Sequence, residues 1–224
     1  MKLIVALGNV GAEYARSRHN AGWRVADIVA AELGPFATEG PVAVARGRIA
    51  DEDVWVLKPL AYMNRSGMAF VEWLDDHPEV EGAISRLVES ADEAGEAPVE
   101  DESAPFAEDE DMSAAKEWPG VLVVTDDVNL PLGRMRFRPG GSDGGHNGLA
   151  DIAAALGSEA YPRLRIGVGA VPAGVDLKDW VLGPFGADET ELAERVWKTA
   201  AEAAWAWASE GFERARDRFN GLKI

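Results

Sequence analysis

Apolar residues along this chain follow two alternating rhythms, short continuous runs and the three-to-four spacing of a helix. Lys2–Leu7 is apolar after its first residue and stopped by Gly8, which predicts a buried strand. Ala21–Leu33 puts Ala21, Val25, Ile28 and Val29 on one face before Gly34-Pro35, the pattern of a helix and its stop. Val42–Ile49 and Asp53–Leu57, separated by an Asp-Glu-Asp turn, predict a hairpin. A second helix is expected from near Asn64 to about Leu74. Val121–Thr125 reads as another buried strand, closed by Asp126-Asp127, and Arg134–Arg138 alternates basic with apolar as a half-exposed strand should. A glycine-rich loop then leads to a helix over Asn147–Leu156 and a strand over Arg163–Gly169. Leu192, Val196, Ala200, Ala203 and Trp207 mark a long amphipathic helix at the end. No internal repeat is present. The expected fold is α/β, a single mixed β-sheet flanked by helices, making one domain of residues 1–224.

The stretch between the second helix and Val121 breaks this order. Residues 72–117 hold 17 Asp or Glu against only Arg86 and Lys116, a local net charge of −15, so the rest of a chain totalling −17 carries only −2. Within 90–116, Phe106 and Met112 are the only large apolar side chains, too few to drive ordering. Residues 77–117 are therefore expected to form an acidic insertion, disordered over 90–116 after a short helix over Val80–Glu89, with His77 solvated at its edge. An acidic total argues against a nucleic-acid partner; confined to an insertion, it leaves room for a basic face elsewhere. The absence of cysteine excludes disulfides, thiol nucleophiles and thiolate metal sites. With only His19, His77 and His146, widely separated, no metal centre is expected, and no motif asks for a cofactor. The first apolar run is too brief for a signal peptide, and none reaches the roughly 18 residues of a membrane span. A cytoplasmic location without a membrane partner is the expectation.

Candidate chemistry gathers where strands end. His19 follows the first strand of an α/β unit, on the loop where ligands of such sheets bind. Were the strand ending at Asp126 its neighbour, that carboxylate would fix the imidazole tautomer and leave the other ring nitrogen to take a proton from water. Asp127 competes for this role. Asn9, Asn64 and Asn147 sit in glycine-punctuated contexts; a side-chain amide can grip a peptide group or an oxyanion, while Asn64 and Asn147 also stand where helix N-caps stand. The loop Pro139–Gly145 lacks the Gly-Lys-Ser/Thr of a phosphate loop and the dinucleotide fingerprint. Its Gly140-Gly141-Ser142-Asp143-Gly144 has the form of a nucleophile elbow, but His146 follows only four residues later, against the Ser, acid, His order of that fold. Arg134, Arg136 and Arg138 share one strand face and form a cationic patch suited to phosphate, with Arg163 and Arg165 on a later strand.

Together these segments resemble the bacterial peptidyl-tRNA hydrolases. The resemblance rests on Leu7–Tyr14, Arg18–Gly22, Pro59–Gly67 with Tyr62-Met63-Asn64, Asp126–Gly133, Gly140–Leu149 and Arg163–Gly167, nearly the whole chain outside the insertion. It implies a monomeric enzyme that cleaves the ester between a peptide carboxyl and the 3′ ribose of tRNA, recycling tRNA from aborted translation, with no DNA partner. His19 then matches the general base, Asp126 its orienting acid, and Asn9 the contact to the ester-side carbonyl. Tyr14, Tyr62, Met63, Asn64 and Asn147 match substrate-contacting positions, and Arg136 and Arg138 the basic residues that meet tRNA phosphate. Val10 replaces the usual proline, Tyr62 a common phenylalanine, and Arg136 and Arg138 frequent lysines, all conservative changes. The acidic insertion is expected to loop away from the cationic face. Two other readings are a catalytically silent RNA-binding member of this fold and an acidic interaction protein acting through 90–116.

Overall fold

A computed structural model describes residues 1–84 and 117–224. The expected disorder of 90–116 and the later half of the Val80–Glu89 helix lie outside those residues. Strand β1 (Lys2–Ala6) is the hub, fully buried from Leu3 onward, as a continuous apolar run requires when both sheet faces are covered. It pairs in parallel with β4 (Glu52–Pro59) on one side and β5 (Val121–Asp127) on the other. β7 (Arg163–Gly167) continues the parallel set beside β5. Antiparallel strands close both sides, β3 (Val42–Ile49) and β2 (Ala37–Glu39) beyond β4, and β6 (Met135–Arg138) beyond β7. The seven strands run in the order β2-β3-β4-β1-β5-β7-β6, a single mixed sheet as the sequence predicts.

The helices are α1 (Ala21–Leu33), α2 (Ser66–Asp75), α3 (residues 78–84), α4 (Asn147–Leu156), α5 (Leu177–Leu182), α6 (Ala187–Glu210) and α7 (Phe212–Phe219). Their faces follow from connection handedness. The crossover from β1 to β4 steps one way along the sheet and that from β4 to β5 steps back, so right-handed connections put α1 and α2 on opposite faces. One core accordingly packs α1, α6 and α7 on Ile4, Val56, Val124 and Ile166, and the other packs α2, α3 and α4 on Leu3, Val5, Leu57 and Val123. Alternate strand residues serve alternate cores, the period-2 rule of a strand.

Several details differ from the sequence expectation. The hairpin turn consists of Ala50 and Asp51, with Ala50 at φ 53°, and Glu52 already pairs with Ile49. The Asp-Glu-Asp triplet is therefore mostly strand, held by register against β3. The second helix is preceded by a 3-10 turn at Met63–Arg65 and begins at Ser66, so Asn64 is not its cap. β7 ends at Gly167. β2, α5 and α7 have three, six and eight residues, too few turns for periodicity to reveal. His77 is half-buried rather than solvated: its ring stacks on Trp73 at 4.2 Å and its Nδ1–H donates to the Trp73 carbonyl at 2.7 Å. Val80 and Ile84 of α3 are buried in the core, so the acidic stretch enters through an ordered helix.

Because β1, β4, β5 and β7 are parallel, the loops after them converge at one sheet edge, the crevice where α/β sheets hold ligands. Gly22 in the first turn of α1 lies against the Leu7 and Val124 carbonyls, which an added Cβ would approach to 2.5 and 2.6 Å. Only glycine lets the start of α1 settle onto the ends of β1 and β5.

Candidate active site

His19 belongs to a 3-10 turn, Arg18–Asn20, that enters α1 across this edge. Asp126 points up from the end of β5, the strand next to β1, and meets the imidazole there. His19 Nδ1 lies 2.9 and 3.0 Å from Asp126 Oδ1 and Oδ2. Asp126 can only accept, so Nδ1 carries the proton and Nε2, which has no partner among the described residues, presents its lone pair to the cleft. Asp127 does not compete: the next residue along a strand faces the other way, and its carboxylate pairs with Arg165 at 2.8 Å.

A second imidazole completes the cluster. His146 is the N-cap of α4, its Nδ1 accepting the Gly148 and Leu149 N–H groups at 3.2 Å each. Capping consumes the Nδ1 lone pair, so the proton sits on Nε2, 3.0 Å from Asp126 Oδ1 and 2.9 Å from Thr125 Oγ1. The Thr125 hydroxyl donates onward to the Asp126 carbonyl at 3.3 Å. Both histidines therefore donate to one buried carboxylate, and their rings stand 4.9 Å apart. Burial alone would favour the neutral acid, but the N–H groups that His19 and His146 donate to it hold the Asp126 carboxyl well below the usual carboxylate range.

The same three residues bring ligand atoms within 4.8 Å of one another, a spacing that suits a metal ion. Chemically they fit one poorly, since His19 Nδ1 and His146 Nε2 hold protons directed at Asp126 and a cation would have to displace both.

Around the pair lies a cleft of about 670 Å³, lined by Asn9, Tyr14, Tyr62, Met63, Asn64 and Asn147 among others. Asn9 is buried and its amide is locked: Oδ1 accepts the Met63 N–H at 2.7 Å, which turns the NH2 group away as a spare donor. Asn20 fixes the loop beneath, accepting the Asn9 N–H at 2.8 Å and donating to the Asn9 carbonyl at 3.0 Å. Tyr62 is exposed and packs edge-on to Tyr14 at 6.5 Å, forming an aromatic shelf at the rim. Asn64 and Asn147 are exposed beside it, and Asn147 is the first residue of α4 rather than its cap. Arg136 and Arg138 flank the cleft instead of lining it. They sit on the outer strand β6 in register with Arg165 and Arg163, so one face of two strands carries four guanidinium groups, and Arg165 at their inner end reaches the cleft.

Sequence reasoning reaches His19, Asp126 and Asn9 but passes over His146, Asn20 and Thr125. The one available signal for His146 is its place directly before a helical pattern, where a side-chain acceptor is wanted.

A histidine held by a buried carboxylate and open to a cleft at the carboxyl ends of parallel strands is an arrangement that can take a proton from water. Comparison with known proteins makes this specific. The sequence pattern of the peptidyl-tRNA hydrolase family matches residues 3–83 and 112–224, and the chain belongs to that family, hydrolases acting on an ester bond. The peptidyl-tRNA hydrolase of Carboxydothermus hydrogenoformans is 39% identical over 98% of both chains. That of Thermus thermophilus is 35% identical over all of this chain and 98% of its own. The crystal structure of peptidyl-tRNA hydrolase from Acinetobacter baumannii superposes with a TM-score of 0.71 at 27% identity, covering 100% of this chain and 96% of that one. The family match omits residues 84–111, within the acidic stretch. No helix among the described residues is long and apolar enough to cross a membrane.

Proposed function

We propose that the chain hydrolyses the ester joining a peptide, or an N-blocked amino acid, to the 3′ ribose of tRNA, with His19 activating the water. The observation that carries this reading is the Nδ1 of His19 bonded to both Asp126 oxygens, with Nε2 left for solvent. Nε2 takes a proton as water attacks the ester carbonyl carbon, and the Asp126 anion stabilises the imidazolium that forms. The tetrahedral oxyanion receives the spare N–H of Asn9, already oriented by Met63. As the intermediate collapses, the imidazolium returns its proton to the departing 3′ oxygen, releasing peptide acid and tRNA. His146 keeps Asp126 ionised and aligned.

Tyr14, Tyr62, Met63, Asn64 and Asn147 contact the 3′ end and the first peptide unit, and Arg136 and Arg138 meet tRNA phosphate along the flanking strand. The enzyme acts as a monomer in the cytoplasm, recycling tRNA from aborted translation, without DNA or membrane as partner, and it uses no cofactor. Incubation with N-acetyl-aminoacyl-tRNA tests this: release of the N-acetyl amino acid is expected from the wild type, and absence of release would overturn the reading.

Two variants divide the labour. Asn9→Asp places a negative charge beside the oxyanion, and kcat/KM should fall by about 10²-fold or more, the effect of removing an oxyanion donor; unchanged kinetics would remove Asn9 from that role. Arg136→Ala with Arg138→Ala should weaken tRNA binding and lower the slope of log K against log salt by about 0.7–0.9 for each phosphate that the arginines neutralise. A salt slope equal to that of the wild type would place the tRNA elsewhere.

A further inference from the structure

Helix α4, whose first residues line the cleft, and α2, which continues the cleft-lining Met63–Arg65 turn, are joined at Asp151. α2 starts without a cap of its own, since Arg65 at the N-cap position makes no side-chain capping bond. Its orphan Gly67 and Met68 N–H groups donate instead to Oδ2 of Asp151 on α4, at 2.6 and 3.1 Å. The helices touch so closely here that a Cβ on Gly67 would collide with the Asp151 carbonyl oxygen. The segment that Asp151 clamps is the continuation of the Met63–Arg65 turn, which bears Met63 and Asn64. Met63 is held a second time, through the Asn9 amide, so Asn64 depends more on the clamp than Met63 does. Five residues before Asp151, at the N-terminus of α4, stands His146, which grips Asp126. One helix thus supplies both the partner of the general-base pair and the clamp on the segment that continues the Met63–Asn64 turn.

We infer that Asp151 is a positioning residue for substrate binding: its carboxylate holds the Met63–Asn64 turn at a set distance from the His19, Asp126 and His146 cluster. The inference rests on the proposed contact of Asn64 with substrate. Without the carboxylate, the first turn of α2 has two unsatisfied donors and frays, moving Asn64, while His19 and Asp126, held by β5 and α1, stay in place.

Kinetics with N-acetyl-aminoacyl-tRNA test this. Asp151→Ala is expected to raise KM about fivefold, the effect of removing a helix cap, with kcat and its pH profile unchanged. Asp151→Asn should restore a near-wild-type KM, because both donated bonds fall on one oxygen, which an amide also offers. Asp151→Gln, compatible with a helix but one methylene longer, should reproduce the KM rise and serves should alanine destabilise the fold. In an Asn64→Ala background, Asp151→Ala should add nothing. A KM rise for Asn64→Ala alone, with none for Asp151→Ala or Asp151→Gln, overturns the positioning role while leaving the substrate contact standing. Failure of Asp151→Asn to rescue, or a fall in kcat at constant KM, overturns it as well. An unaltered KM for Asn64→Ala refutes the underlying contact, and the inference with it.

Discussion

Replacing His19 by alanine is expected to lower kcat on N-acetyl-aminoacyl-tRNA by about 10²–10⁴-fold, the range for removal of a general base. Alanine leaves the carboxylate, the Asn9 amide and the flanking arginines in place, so tRNA affinity should change little. The loss belongs to kcat because Nε2 acts only as the proton moves; at rest it has no partner among the described residues. Deleting the ring also leaves Asp126 with one histidine instead of two, and its remaining bond to His146 keeps it satisfied. Single-turnover hydrolysis and a filter-binding titration, run on the same preparation, separate the two quantities. Hydrolysis at the wild-type rate would eliminate His19 as the base, and a loss confined to tRNA binding would recast it as a docking residue.

Asp126→Asn should be nearly as damaging, for a reason particular to this site. Two imidazole N–H groups point at the carboxylate, one from His19 and one from His146. Asparagine has a single oxygen; at the Oδ1 position, which both rings touch, it leaves the NH2 at the Oδ2 position, 3.0 Å from His19 Nδ1, where it favours a lone pair on that nitrogen. His146 cannot yield, because its other nitrogen accepts the backbone N–H groups of Gly148 and Leu149 and a change of tautomer would break the cap of α4. His19 has no such commitment. It takes the wrong tautomer, places its proton on Nε2 and ceases to be a base; by analogy with other histidine–carboxylate hydrolases kcat should fall about 10³–10⁴-fold. Activity within a few-fold of wild type would sink this account, and NMR of the imidazole nitrogens would report the tautomer directly.

The same substitution has a stability signature. The Asp126 carboxyl is lowered in the folded protein, so its contribution is fully present above the ordinary carboxylate value of about 4 and is lost as pH falls toward the lowered one. Urea midpoints measured from neutral to acid pH should therefore drop more steeply below pH of about 4 for the wild type than for Asp126→Asn. Parallel curves would mean that the pair adds nothing to folding.

How far the residues announce all this varies with the kind of signal. The runs at Lys2–Leu7 and Val121–Thr125 are legible because both sheet faces are covered, and the α1, α4 and α6 patterns because each lasts several turns. His19 and Asn9 can be picked out because glycine and short polar residues punctuate the ends of strands, where function concentrates. His146 is hidden in a loop that reads equally well as a turn, since its role as a cap depends on a helix whose first turn must already exist. His77 looks solvated in an acidic neighbourhood and proves to be stacked on Trp73, a contact set by helix packing. Asp126 and Asp127 are indistinguishable along the chain and opposite in space, one facing His19 and the other Arg165.

From its residues alone the chain determined the alternation of strand and helix, the two apolar faces of the sheet, the confinement of negative charge to one stretch, and which polar groups stand at strand ends. These follow from local periodicity and composition, which need no knowledge of neighbours. Tertiary structure alone decided that β5 lies beside β1, and so that residues 107 positions apart form the candidate catalytic pair, with a second histidine 20 positions further on joining them. Strand order and register arise from how whole faces pack, and a repeat of two or three and a half residues carries no record of them.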